Sequence, residues 1–217
     1  KVYMTKKIIA VDLDGTLLNN ESKLSDFTKE TIKKISEKGH HVIITTGRPY
    51  RMAKDFYREL ELHTPMINFN GSLTHLPGQA WEHEKCLTLD KKYLLDMVKR
   101  TEDIQADFIA GEYRKKFYIT TPNEEIADPK LFGVENFQPE NQFKSERVTK
   151  NPNCILLQTR VEDKYALADE MNRFYQHQLA INTWGGPLNI LECTPKGVNK
   201  AFALEYLLNV MNRDKKD

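Results

Sequence analysis

Apolar residues run without a break over Ile8-Ile9-Ala10-Val11 and then give way to Asp12-Leu13-Asp14-Gly15-Thr16. All but Ala10 are β-branched, so the run predicts a strand buried on both faces, as central strands of parallel sheets are. Ser25 or Asp26 then caps a helix to about Lys38, with Phe27, Ile32 and Ile35 as an imperfect apolar stripe and Gly39 as the stop. Residues 41–45 predict a second strand and residues 50–60 a helix started by Pro49. A third strand, 66–69, is approached through Pro65 and ends at the Asn70-Gly71 turn. Strand, helix, strand, helix, strand is the order of a parallel sheet with right-handed crossovers, an α/β fold.

From about Glu84 the periodicity changes. A helix over 90–101, strands over 106–109 and 116–120, and a polar, proline-containing stretch through Asn151 come first. A strand over 153–159, a helix over 164–177 and a strand over 179–183 follow. These elements are not spaced as further crossovers of the first sheet, so they predict an α+β insert. Residues 188–192 read as a short strand at the border between insert and core, and 197–211 as an amphipathic helix of the core. The expected organisation is a core over 1–83, an insert over 84–187 and a return to the core over 188–217. The polar tail 212–217 is expected to fray.

Composition narrows the partners. The 217 residues carry 32 basic and 31 acidic side chains, a formal charge of +1 that gives no electrostatic case for nucleic acid or an anionic membrane. Cys86, Cys154 and Cys193 are odd in number and lack C-x-x-C spacing, as expected of reduced, partly buried thiols. No apolar run reaches the length of a membrane span, and residues 1–7 lack the apolar core of a secretory signal. A cytoplasmic protein, monomeric or homodimeric, is expected, with Met4 as its natural start. The histidines show no H-E-x-x-H or other paired metal spacing.

The candidate chemistry lies at strand ends. Ligands of open parallel sheets bind beyond the carboxyl ends of the strands, where Asp12 and Asp14 would sit. Thr46-Gly47-Arg48 and, much later, Lys200 fall where the same sheet could gather them. A carboxylate attacking phosphorus gives an aspartyl phosphate, and a neighbouring acid protonates the departing oxygen. A hydroxyl and an ammonium steady the equatorial oxygens. Each residue also has a plainer reading. Asp12-x-Asp14-Gly15 could be only a strand-ending turn, Thr46 the last residue of a β-rich strand, and Lys200 a solvated lysine in a first helical turn with Lys196 as competitor. Arg48 either binds phosphate or pins its loop, and Asn70 and Gly71 shape the pocket floor. Trp184-Gly185-Gly186-Pro187 reads as a turn of the insert, and 112–116 as a solvated loop or strand edge.

Asp12-x-Asp14-Gly15-Thr16-Leu17, Thr46-Gly47-Arg48-Pro49, Asn70-Gly71 and Pro195-x-Gly197-x-x-Lys200 together resemble the haloacid dehalogenase superfamily, in particular its Cof-type sugar-phosphatase branch. The resemblance implies a Rossmann-like parallel core with an inserted α+β cap of the C2 type. It gives Asp12 the nucleophile's role and Asp14 that of general acid/base. Thr46, Gly47 and Lys200 become phosphate-binding residues, and Arg48, Asn70 and Gly71 line the substrate. Magnesium would be the cofactor, held by the Asp12 carboxylate and the Asp14 backbone carbonyl. The implied activity is magnesium-dependent hydrolysis of small phosphomonoesters such as sugar phosphates, with the cap choosing the substrate. Alternatives are a phosphomutase with the same nucleophile, a phospho-acceptor module or a non-catalytic sugar-phosphate sensor.

The family's G-D-x-x-N-D motif, which supplies a further magnesium ligand, does not occur in the sequence. A truncated or proteolysed chain with an incomplete core is the expectation, with weaker magnesium binding and slow turnover. An ionised Asp12 about 4 Å from a phosphate dianion meets repulsion of about 4 kcal/mol per charge pair at an effective dielectric near 20, which magnesium would offset.

Overall fold

The apolar run Ile8–Val11 forms β1 and lies parallel to β2 (His41–Ile44), in register from Ile8 opposite His41 to Val11 opposite Ile44. This arrangement is seen in a computed structural model that describes residues 6–213. Thr45 extends the pairing: its amide donates to the Val11 carbonyl at 2.8 Å, and the Thr46 amide donates to the Ile67 carbonyl at 2.9 Å. Through this step β3 (Met66–Asn68) joins the far side of β2 in the parallel sense expected.

Between these strands, α1 (Asp26–Glu37) begins where the Ser25 hydroxyl accepts the Thr28 amide, and the chain turns at Gly39 with φ +85°. The stretch read as one helix over 50–60 is two pieces: a tight turn at Tyr50–Met52 and then α2 (Lys54–Glu59). Ile32 of α1 and Tyr57 of α2 pack with Val42, Ile44 and Met66 on one side of the sheet. On the other side Ile43 and Ile67 meet Ala203 and Leu207 of α6 (Lys200–Val210). Burial of each such aliphatic side chain contributes about 1.5–3 kcal/mol before entropy is counted, so α6 is held by its apolar contacts.

β1 was expected to be buried on both faces, but Ala10 is exposed and its neighbours are half-buried, because β1 pairs with β2 alone among the described residues. The fully covered strand is β2, whose Val42, Ile43 and Ile44 show no exposed surface. An antiparallel extension also follows β3, made of β4 (Leu73–His75) and β5 (Lys85–Cys86). Strands of three and two residues are too short to leave a period in the sequence.

The second unit, Leu87–Val198, is the α+β insert. It holds α3 (Lys91–Lys99), α4 (Thr101–Ile104), β6 (Ala106–Glu112), β7 (Phe117–Ile119) and β8 (Cys154–Thr159). After these come α5 (Lys164–Phe174), β9 (Leu179–Thr183) and β10 (Ile190–Pro195). The five strands form one antiparallel sheet in the order β7-β6-β8-β10-β9. Leu94, Met97, Leu167 and Met171 of the helices pack with Ile109, Ile155, Leu157 and Leu191 on one face of it. Phe108, Phe117, Phe132 and Phe137 cluster within the same unit, with Phe117 and Phe132 stacked at 4.8 Å.

The boundary expected at 187/188 is therefore displaced to 198/199. β10 pairs antiparallel with both β8 and β9, which makes it an interior strand of the insert rather than a border strand of the core. At the other end, Lys85 and Cys86 pair with β4 and belong to the core. Glu112 and Tyr113, expected to be solvated, are buried, while Lys115 and Lys116 at the turn are exposed. Of the three free cysteines, Cys86 is exposed and the other two are buried, and burial pushes the Cys154 and Cys193 thiols up. Arg213, part of the tail expected to fray, is tied back by its guanidinium to the Lys6 carbonyl at 2.8 Å. Met4, the expected start, and residues 214–217 lie outside the described residues.

The turn at 184–188 is organised by a lysine. Lys164, the first residue of α5 and buried, donates from Nζ to the carbonyls of Trp184, Gly186 and Leu188 at 2.7, 2.9 and 2.9 Å. Its ammonium thus gathers three carbonyls from five residues of backbone. Replacing Lys164 with Met is expected to cost the protein about 2–3 kcal/mol, the scale of charge-assisted hydrogen bonds lost from a buried donor. Urea unfolding followed on the insert's tyrosines reads this directly; an unchanged midpoint would show that water serves those carbonyls equally well.

Candidate active site

Asp12 follows β1 with extended backbone, and its Oδ1 accepts the Leu13 amide at 2.8 Å. The chain then closes a tight turn in which the Leu18 amide donates to the Leu13 carbonyl at 2.9 Å, and Gly15 takes φ +76°. A left-handed residue at that point is what glycine permits at no steric cost. The turn holds the Asp12 and Asp14 carboxylates at the carboxyl end of β1.

Lys200 reaches the first of them. Its Nζ lies 2.8 Å from Asp12 Oδ2, a contact between residues 188 positions apart. The lysine opens α6, whose preceding residue Asn199 caps the helix by accepting the Phe202 amide at 2.8 Å. α6 is seated against the Asn70-Gly71 turn: Gly71 has φ +108°, and a Cβ there would collide with the Asn199 carbonyl. Gly71 therefore acts on Lys200 indirectly, by letting the cap residue come close.

Arg48 reaches the second. Its Nε donates to Asp14 Oδ2 at 2.8 Å and an Nη to Asp14 Oδ1 at 2.6 Å, the bidentate fork that guanidinium and carboxylate form best. The hydrogen bonds from Arg48 hold the Asp14 carboxyl below the usual carboxylate range, against the opposing effect of partial burial; the charges of Arg48 and Lys200 add to the lowering. The guanidinium is steadied in turn by the Met52 carbonyl at 3.3 Å and by the Phe56 ring, 5.5 Å from its centroid. Of the two readings open for Arg48, this conformation displays the pinning one.

Thr46 is fully buried, and its hydroxyl oxygen accepts the Arg48 amide at 3.1 Å, so the threonine shapes the loop that carries the arginine. A Cβ at Gly47 would press on the Asn70 side chain at 3.0 Å, and the Asn70 amide donates to the Thr46 carbonyl at 3.0 Å. The structure thus brings Asp12 to Lys200, Asp14 to Arg48, and Thr46 and Gly47 to Asn70, all within the core unit. Two members of this network lie in none of the sequence motifs. Asn68 donates from Nδ2 to the Arg48 carbonyl at 3.0 Å, and its Oδ1 lies 2.7 Å from His75 Nε2. A polar residue inside a three-residue buried strand was the one available signal.

A profile of haloacid dehalogenase-like hydrolases matches residues 9–217. The chain belongs to that family. It is 29% identical over 205 residues to the 5-amino-6-(5-phospho-D-ribitylamino)uracil phosphatase YitU of Bacillus subtilis, covering 92% of this chain and 73% of the relative. It is 42% identical over 205 residues to a putative phosphatase of Buchnera aphidicola, covering 94% of this chain and 74% of that one. The crystal structure of TM0651 from Thermotoga maritima shares the fold with a TM-score of 0.76 at 23% identity, covering 96% of this chain and 76% of that one. The haloacid dehalogenase-type chain is accordingly an enzyme of the phosphatase kind. No helix among the described residues is long and apolar enough to cross a membrane.

The donor set suits a hard cation in part. Asp12 offers a carboxylate oxygen and Asp14 a backbone carbonyl oxygen, donors of the type magnesium prefers, and magnesium commonly takes one or two carboxylates and completes its shell with water and substrate phosphate. Among the described residues there is no cluster of three or more acidic, histidine or cysteine side chains that could hold a metal without such help.

The paired Asp14 links the site to pH. A carboxyl lowered below its unfolded value of about 3.9 adds stability above that pH and loses it as pH falls through the lower folded value. Asp14 is more than half exposed, so the contribution is about 0.2–1 kcal/mol. In Arg48→Ala the Asp14 carboxyl is expected to titrate closer to its ordinary value, and the stability gap between variant and parent to close as the pH is taken below that range. Carbon-13 NMR of the Asp14 carboxyl measures the first; a titration unmoved by the substitution would contradict the assigned cause.

Proposed function

We propose that this chain hydrolyses phosphate monoesters of small metabolites through an aspartyl phosphate on Asp12. The observation that carries the reading is the Lys200 ammonium 2.8 Å from the Asp12 carboxylate at the carboxyl end of β1, with a second carboxylate two residues away. Asp12 would attack phosphorus, forming an O–P bond as the ester P–O bond breaks. The departing alkoxide takes a proton from Asp14. Water then attacks the phosphoryl group, Asp14 takes its proton, and the Asp12–phosphoryl bond breaks to release inorganic phosphate. The ionised Asp14 that Arg48 favours is the form required for the water step. Delivering a proton in the first step requires the guanidinium to disengage, and the substrate's phosphoryl oxygens are the natural competitor for it.

Lys200 would hold the nucleophile and a phosphoryl oxygen together, and the Thr46 hydroxyl and the Gly47 amide would act as neutral donors to the same group. Magnesium bound at the Asp12 carboxylate and the Asp14 carbonyl would supply positive charge against the repulsion between nucleophile and phosphate. The name of the Bacillus relative, which acts on a phosphorylated ribityl compound, favours sugar- or polyol-phosphate substrates.

The test is release of inorganic phosphate from a panel of sugar and polyol phosphates with magnesium present. Asp12→Asn is expected to lower kcat by at least about a thousandfold, as loss of a nucleophile does, and Lys200→Ala by about a hundredfold, the scale of one transition-state electrostatic contact. Isomerised sugar phosphate in place of free phosphate would turn the reading to a mutase. Full activity in Asp12→Asn would end it.

A further inference from the structure

Arg48 has to be aimed as well as present, and the residues behind it are buried, polar and specific. Asn68 and His75 are 0% and 1% exposed, on adjacent antiparallel strands where Met66 faces His75 and Asn68 faces Leu73. Their polar atoms are mutually satisfied in one sense only. Asn68 Nδ2 is the donor to the Arg48 carbonyl, so the oxygen of that amide is what faces His75. An amide oxygen only accepts, so His75 Nε2 carries the proton. The chain of donors runs from His75 to Asn68 to the backbone of Arg48.

What lies beside it is strained. Phe69 and Asn70 both have positive φ, +51° and +53°, and for a bulky aromatic residue the left-handed region is an outlier that surrounding structure must enforce. The two amides of this turn also serve the arginine loop: Phe69 N–H donates to the Arg48 carbonyl at 3.3 Å and Asn70 N–H to the Thr46 carbonyl at 3.0 Å. The Arg48 carbonyl thus receives two donors from adjacent residues, one of them long. Past Pro49, the Tyr50 ring meets the His75 ring edge-on at 5.1 Å, so His75 touches the segment on the other side of Arg48 as well.

We propose that Asn68 and His75 are a positioning pair, which fixes the backbone of Arg48 and so aims its guanidinium at the Asp14 carboxylate. The inference rests on the phosphatase reading above for its consequence and on buried geometry for its cause. The guanidinium engages Asp14 at 2.6 and 2.8 Å, with little slack for a displaced backbone. A shift of about 1 Å in such a group costs on the order of a hundredfold in rate. Neither side chain touches the reacting atoms in this account. Their effect passes through Arg48.

Asn68→Asp is the discriminating variant, because it keeps shape and the acceptor facing His75 but sets a carboxylate oxygen against the Arg48 carbonyl. Para-nitrophenyl phosphate with magnesium is the kinetic probe, and melting temperature and far-ultraviolet circular dichroism monitor folding. In Asn68→Asp, kcat is expected to fall by about ten- to a hundredfold with KM changed by less than about threefold. His75→Ala should lose kcat in the same direction, and His75→Gln, whose amide can donate to Asn68, should recover most of it. The decisive comparison uses Arg48→Ala as background: there Asn68→Asp should cost little further, since coupled residues are not additive.

An equal loss in both backgrounds would assign Asn68 a structural role alone and overturn the proposal, as would parental kcat in a folded Asn68→Asp. If Asn68→Asp does not fold, Asn68→Leu, which fills the site with an apolar side chain and removes the donor, takes its place with the same expectation. A second reading is independent of turnover: nitrogen-15 NMR of the Arg48 Nε–H, protected by Asp14 in the parent, should show that protection lost in Asn68→Asp and retained in His75→Gln. Protection unchanged in Asn68→Asp refutes the positioning pair even if the parent hydrolyses nothing, an outcome that would fall on the phosphatase reading instead.

Discussion

The apolar seating of α6 on the sheet, which brings Lys200 to Asp12, is the constraint on which the site of this core unit turns. An ion pair whose two side chains are each more than a third exposed contributes at most about 1 kcal/mol, so it does not hold residues 188 positions apart in sequence together. The direction of support runs the other way. Ala203 and Leu207 bury α6 against Ile43 and Ile67, Asn199 caps the helix, and the left-handed Gly71 lets that cap approach the third strand's exit. The fold delivers an ammonium to a carboxylate, and the energy of delivery comes from apolar contact.

The two carboxylates are served differently, and the difference fits their proposed tasks. Asp12 meets lysine, a compact point charge on a flexible stem that can swing between a nucleophile and an incoming phosphoryl oxygen. Asp14 meets arginine in a planar two-bond fork that fixes orientation as well as charge. One carboxylate needs a partner that can be shared. The other needs to be kept ionised and pointed until substrate arrives. Both partners are anchored on backbone that positive-φ residues bend into place, which is where strain is affordable because a buried network holds it.

What could be read from the sequence follows from the range of the physics involved. β1 and β2, α1 with its Ser25 cap, and the turn at Asn70-Gly71 are local features with local signatures, and the candidate site residues lay in short motifs at strand ends. The α/β core and the α+β insert were legible for the same reason. The limits of the insert were not, since Ile190–Pro195 is an unremarkable apolar strand whose membership is decided by pairing with two distant strands. Buried polar contacts were equally silent: Asn68, His75 and Lys164 take their meaning from partners that proximity in space supplies. The solvation of β1 escaped notice too, because β-branched residues look the same on a covered strand as on one with a single neighbour.

The central claim is that Asp12, steadied by Lys200, becomes the phosphorylated group. Acid quenching of the chain during turnover, followed by peptide mass spectrometry of the segment around residues 8–18, tests it most directly. The account predicts the added mass of one phosphoryl group on Asp12, lost on mild alkaline treatment and diminished in Lys200→Ala. Phosphate release with that segment unmodified throughout, and the label on another residue, would contradict it.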